Sequence, residues 1–327
     1  MFSDSALKML SVVILLYFIA GCASLDYHSG VPTQTYVATG SDLISRFMPV
    51  IVSEHPEYIY NRIGQPGVIE IDQKYRLRID SEVAVVYYEK RSFETARGSY
   101  TNLIYRVHFA EVPMSLLPFN LTAGKNVGLI FIVTLDVRQQ PVLITMVHTC
   151  GCYLAMVPTD YLQEDAFPEG WNTESQYVYG ATLPGLLRLG HTTGRKKAVI
   201  VLKNGTHRVI HIDAVQVDEL KSQYGSISLM IKPASELEAL LTDNGQRSVS
   251  MFETTGPRKG YVRDSHKPFE FLFMSWWAMD WYVGVDKLYG NPGQDGPPFN
   301  TSLKPWARSE SDMRDFPRFL RYWGWRL

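Results

Sequence analysis

Two neighbouring apolar runs constrain the fold of this chain more than any other feature. Residues 127–137 (VGLIFIVTLDV) and 142–147 (VLITMV) are separated by Arg138, Gln139, Gln140 and Pro141. Runs rich in β-branched and aromatic residues, divided by a polar break ending in proline, read as a β-hairpin. A strand with one wet face alternates apolar and polar side chains, and these two do not. Each therefore needs cover on both faces, which places the hairpin inside the domain with a layer of structure on either side.

The second run leads directly into His148-Thr149-Cys150-Gly151-Cys152. In an extended strand alternate side chains share a face, so His148, Cys150 and Cys152 would line up. At ~3.3 Å per residue, His148 and Cys152 would sit about 13 Å apart, too far for both to reach one ion in a straight strand. Cys150 and Cys152 are about 6.6 Å apart by the same rise, and Gly151 permits a bulge that swings the sulfurs together. Four readings of the pair stay open: two buried inert thiols, a Cys150–Cys152 disulfide, a thiolate site for Zn(II) or Cu(I) with a histidine, and a redox-active dithiol.

Residues 83–93 and 100–112 form a second expected hairpin, turning at residues 96–99, with His108 as a partly buried, hydrogen-bonded histidine on its second strand. Asn204-Gly205 between apolar runs predicts a two-residue type I′ turn. That register pairs Leu202 with His207 and Ala198 with His211, which puts both imidazoles on one apolar face. His211, farther from the turn, is the better candidate fourth metal ligand. His191 falls in a Gly-His-Thr-Thr-Gly loop and reads as solvent-exposed, and Arg195-Lys196-Lys197 reads as the solvated end of a hairpin.

Helical signals are fewer. Ser41 and Asp42 precede Leu43, Ile44 and Phe47 as a capped start, and Pro49 ends the run. A strand is expected from about Gly225 to Ile231, closed by Pro233, followed by a short helix over 234–241. Residues 268–283 (PFEFLFMSWWAMDWYV) form the most apolar helical candidate. At ~1.5 Å per residue it spans only about 24 Å, too short and too polar for a bilayer crossing. A core helix is the expectation, and an interfacial helix carrying Trp276, Trp277 and Trp281 is the alternative. Residues 309–325 close the chain as a helix. The expected fold is α+β, a mainly antiparallel β-sheet or partial barrel with aromatic C-terminal helices packed on it.

The N-terminus addresses location. Residues 10–19 (LSVVILLYFI) make an apolar stretch too short for a membrane span and suited to the core of a secretion signal. It runs into Ile19-Ala20-Gly21-Cys22, which resembles the lipobox of bacterial lipoproteins. The resemblance covers only these first residues. It implies cleavage after Gly21, lipidation of Cys22, and, with Ala23 rather than Asp after the cysteine, delivery to the outer membrane. Two or three acyl chains hold a protein firmly where one does not. The expected organisation is a signal peptide over 1–21, a Ser/Thr/Gly/Pro-rich tether over 22–40, and one α+β domain over 41–327, within which 234–327 can form a helical subdomain.

Formal net charge is −1, so no global field attracts nucleic acid, and none is expected as a partner. The aromatic content of 13% and hydrophobic content of 46% suit a folded domain. Hydrolase, P-loop, zincin, EF-hand and haem-attachment motifs are absent from the sequence. The function expected is that of a membrane-anchored envelope lipoprotein with a binding or structural role and an envelope protein as partner. Metal binding through His148, Cys150, Cys152 and His211, or thiol oxidoreduction, are the alternatives.

Overall fold

The computed structural model describes residues 30–117, 119–190, 196–216, 226–243, 245–291 and 296–327. Cys22 with its signal peptide, most of the tether, His191 and Arg195 lie outside the described residues.

Among the described residues the strands of three or more residues are β1 (Thr33–Ala38), β2 (Val50–Glu54), β3 (Gln65–Ile71), β4 (Lys74–Asp80), β5 (Val85–Thr95), β6 (Gly98–Val112), β7 (Gly124–Leu135), β8 (Pro141–His148), β9 (Leu154–Pro158), β10 (Gln176–Val178), β11 (Ala181–Leu183), β12 (Lys196–Leu202), β13 (Val209–Gln216) and β14 (Ser226–Pro233). Among the described residues three α-helices accompany them: α1 (Leu43–Phe47), α2 (Pro268–Ala278) and α3 (Phe316–Tyr322). Ten strands join one mixed sheet in the order β13-β12-β2-β1-β14-β5-β6-β7-β8-β9. The fold is mainly β, a barrel-like sheet with a few C-terminal helices, as the residue patterns lead one to expect.

From β5 to β9 the sheet is an antiparallel meander. β7 and β8 are buried on both faces for the reason their sequences give: neither carries a regular polar alternate. Leu129, Phe131 and Val133 join Tyr105, Val107, Met146, Ile200 and Ile212 in the core enclosed by the curled sheet. Ile130, Ile132, Leu143 and Val147 point the other way, into a second core completed by Phe299, Met313, Phe316, Phe319 and Trp325 from the end of the chain. The C-terminal residues thus form the outer layer that the apolar hairpin requires, and Pro32–Leu327 is a single compact unit.

Two expectations change. Thr33–Ala38, assigned to the tether, is a strand lying between β2 and β14, with Tyr36 buried in the enclosed core. Its partners β2 and β14 supply a pairing that the local Ser/Thr/Gly-rich composition does not announce. The Asn204-Gly205 turn is longer than a type I′ hairpin: Leu202 pairs with Val209 and Val201 with His211. Tertiary hydrogen bonds decide this. Asn204 N donates to Glu54 Oε2 at 2.9 Å and Gly205 N to Asn61 Oδ1 at 2.8 Å, so β2 and its neighbour hold the tip, while Lys203 N to Arg208 O at 2.8 Å and His207 N to Lys203 O at 3.0 Å close the longer loop.

Candidate functional site

The Cys-Gly-Cys segment is the tip of the β8–β9 hairpin. Gly151 N donates to His148 O at 2.7 Å, and Gly151 takes a φ of +84°, a left-handed conformation that glycine adopts without a Cβ penalty. A Cβ here would lie 2.1 Å from the Asn300 carbonyl oxygen. The turn brings the two cysteines to a Cα separation of 5.5 Å, and they are joined as a disulfide. Gly151 bends the chain as its position between the cysteines suggests.

The straight-strand distance for His148 does not apply, because β8 ends at His148 and the chain folds back. One ligand atom each from His148, Cys150 and Cys152 lie within 4.8 Å of one another. His211 does not join them. The changed register sets it opposite Val201, on the face away from Ile200 and Leu202, and removes it from the candidate ligand set.

His148 faces the enclosed core beside Tyr153, at 5.0 Å between ring centroids, with Nε2 3.5 Å from the His207 carbonyl. Tyr153 Oη donates to Val209 O at 3.4 Å, so the hairpin tip beside β9 reaches β13, the strand at the opposite edge of the sheet. The site therefore sits where the curled sheet closes on itself. His207 is buried there, stacked on Phe109 at 3.9 Å and donating from Nε2 to Tyr60 O at 2.8 Å. Burial holds His148 well below the ordinary imidazole range, with Lys267, Arg208 and His207 adding to it, and lowers His207 to about 3. Both rings are neutral near pH 7.

Behind the turn lies a set of buried charges. Asp286 Oδ2 accepts from Thr149 Oγ1 at 2.5 Å and Gly128 N at 2.9 Å, while Oδ1 pairs with Lys267 Nζ at 3.2 Å. Lys287 donates from its backbone to Thr149 O at 2.9 Å, and from Nζ to Asn300 Oδ1 at 3.0 Å and Cys150 O at 3.4 Å. Burial lowers the Lys287 amine to about 8, the chief cause, against the opposing pull of Asp280 and Asp312. These residues lie far apart in the sequence. Their one local sign is a charged pair, Asp286-Lys287, set among Val283, Val285 and Leu288, which periodicity alone does not separate from a surface turn.

Lys267 immediately precedes α2, so its ion pair ties the start of that helix to Asp286. The helix is turned inside out. Glu270 is buried and pushed up by burial, whereas Leu272 is 61% exposed, Trp276 74% and, just beyond the helix, Trp281 75%. Phe119, from the loop between β6 and β7, packs on Phe269 and Phe273, extending the exposed face to Met114, Leu116 and Leu117. The core-helix expectation is corrected: of α2 only Glu270 and Ala278 are buried. No helix among the described residues is long and apolar enough to cross a membrane.

As bridged, the sulfurs offer no thiolate to a metal, and the disulfide is a staple at the hairpin tip with Cys150 buried and Cys152 half-buried. Reduced, the same three residues present two thiols and a neutral imidazole to one point. No protein family matches the chain, and neither a curated protein nor a solved structure matches it. Fold and site together define a class: a barrel-like mixed β domain with a stapled, charge-backed turn and an outward-facing aromatic helix.

Proposed function

We propose that this chain is an envelope lipoprotein, anchored through acyl chains on Cys22, whose folded domain lies against the outer membrane through the aromatic face of α2 and serves a binding or structural role. The observation that carries this reading is the inverted exposure of α2 and the residues that follow it: Trp276, Trp277, Met279 and Trp281 face out while Glu270 faces in. Exposed apolar patches of this kind mark interaction sites, and tryptophan favours the bilayer interface. A tryptophan moved from water into that interface contributes about 2 kcal/mol by area, so several together add usefully to an acyl anchor.

The anchor and the face are tested together in vesicles. Palmitate should label the wild-type chain and not Cys22→Ser. In vesicles containing brominated phospholipid, the tryptophan fluorescence of the anchored protein should be quenched, and Trp276→Ser with Trp281→Ser should remove most of that quenching. Labelled protein with unquenched tryptophans would reject the membrane as occupant of the face and leave an envelope protein in its place.

The clustering of His148, Cys150 and Cys152 within 4.8 Å favours a second reading, a Cu(I) or Zn(II) site formed on reduction. Reduced protein should then retain about one metal per chain after gel filtration, and Cys150→Ser should retain none.

A further inference from the structure

The structure assigns a second site, distinct from the stapled turn: we infer that the pocket between β5–β7 and the segment following β14 binds a small apolar molecule bearing one carboxylate, recognised by Arg106. The pocket has a volume of about 260 Å³, and Tyr87, Ile104, Arg106, Leu237, Phe252 and Tyr289 are among its walls. That is near the lower end for small-molecule sites, room for a ligand of the size of an aromatic or short-chain acid.

Arg106 is the reason for a carboxylate. Its Nε donates to His108 Nε2 at 2.9 Å and its Nη1 to Lys287 O at 2.9 Å, two neutral acceptors. Its Nη2 is buried and has no hydrogen-bond partner among the described residues. Burial lowers the guanidinium to about 10, which leaves it a cation at neutral pH. The nearby carboxylate of Asp286 is already engaged by Lys267, Thr149 and Gly128. A buried guanidinium with one unused NH₂ and no carboxylate in hydrogen-bond contact favours an external anion.

The pocket's other cation does not compete. Arg91 is held by both oxygens of Glu89, at 2.6 and 2.8 Å, and by the carbonyls of Tyr289 and Gly290. With two of three guanidinium nitrogens of Arg106 committed, the free group suits a single oxygen rather than the broad face of a phosphate. Phe252, stacked 5.3 Å from the guanidinium carbon, and the rings of Tyr87 and Tyr289 suit an apolar or aromatic body.

Equilibrium dialysis of the full chain in non-ionic detergent tests this with phenylacetate and its neutral isostere phenylacetamide. Phenylacetate should bind saturably, and the amide at least about tenfold more weakly. Arg106→Gln should lose at least about tenfold in phenylacetate affinity, a charged contact replaced by a neutral one. Because Arg106 also braces His108, Ser235→Trp provides the second arm: Ser235 is exposed at the rim, so a bulky ring there should block binding while leaving the melting temperature unchanged. Equal binding of acid and amide, unaltered affinity in folded Ser235→Trp, or no saturable binding up to roughly 10 mM, weaker than a ligand of this size should show, would overturn the assignment.

Discussion

Lys267 Nζ lies 3.2 Å from Asp286 Oδ1 with both side chains buried, and this pair joins the start of α2 to the turn that carries the disulfide. Asp286 reaches the turn through Thr149, and Lys267 opens the helix whose aromatic residues face outward. The stapled turn and the aromatic face are therefore linked through one buried ion pair.

Removing one member of that pair strands the other as a buried charge. Lys267→Met should lower unfolding free energy by about 3–5 kcal/mol, and Lys267→Met with Asp286→Asn should recover part of the loss. Urea denaturation of Lys267→Met, of Asp286→Asn and of the double variant measures the coupling. A double variant as unstable as the sum of the singles would show that the two residues act independently.

The disulfide closes a very short loop, so its effect on the unfolded chain is small. Replacing both cysteines by serine should cost about 1–2 kcal/mol. Gly151→Ala should cost more, over about 2 kcal/mol, because the new Cβ meets the Asn300 carbonyl at 2.1 Å and the backbone stays left-handed. Alkylation in denaturant with and without reductant counts the thiols directly. Two alkylated cysteines without reductant would disprove the bridge.

Acid should destabilise the fold before its carboxylates titrate. His207, held at about 3, and His108 and His148, held well below the ordinary range by burial, stay neutral when folded and take up protons near pH 6.5 when unfolded. The unfolded state then binds more protons, so the stability these groups contribute is present above about pH 6.5 and is lost as pH falls toward their folded values. His207 accounts for about 2 kcal/mol between pH 7 and pH 5, and His108 and His148 act in the same direction. Glu270, raised by burial, works the other way, since its folded carboxyl takes up a proton at higher pH than the unfolded one. Urea midpoints across this range should fall with acid, and His207→Gln should flatten the dependence.

Substitutions on the outer face of α2 and of the residues just after it should leave the domain's stability almost untouched. Trp276→Ser and Trp281→Ser remove side chains 74% and 75% exposed, and the expected change is within about 0.5 kcal/mol. Thermal unfolding in detergent, compared with the quenching described above, separates a surface role from a structural one. A large drop in melting temperature would mean that these rings support the fold.

What the sequence alone determined follows from short-range pattern. Two-faced apolar runs dictated a β7–β8 hairpin covered on both sides, the polar break at residues 138–141 located its turn, and Gly151 allowed the cysteines to meet. Asp42 capped α1 through its own side chain, a contact within one turn of chain. Tertiary structure decided the rest, because the deciding partners are distant in sequence. β1 is a strand because β2 and β14 flank it, and the Asn204-Gly205 loop abandons its preferred turn because Glu54 and Asn61 hold its backbone. The same holds for α2. An apolar helix is indistinguishable from a core helix by composition, and only the burial of Lys267, Glu270 and Asp286 beneath it forces the tryptophans to the surface.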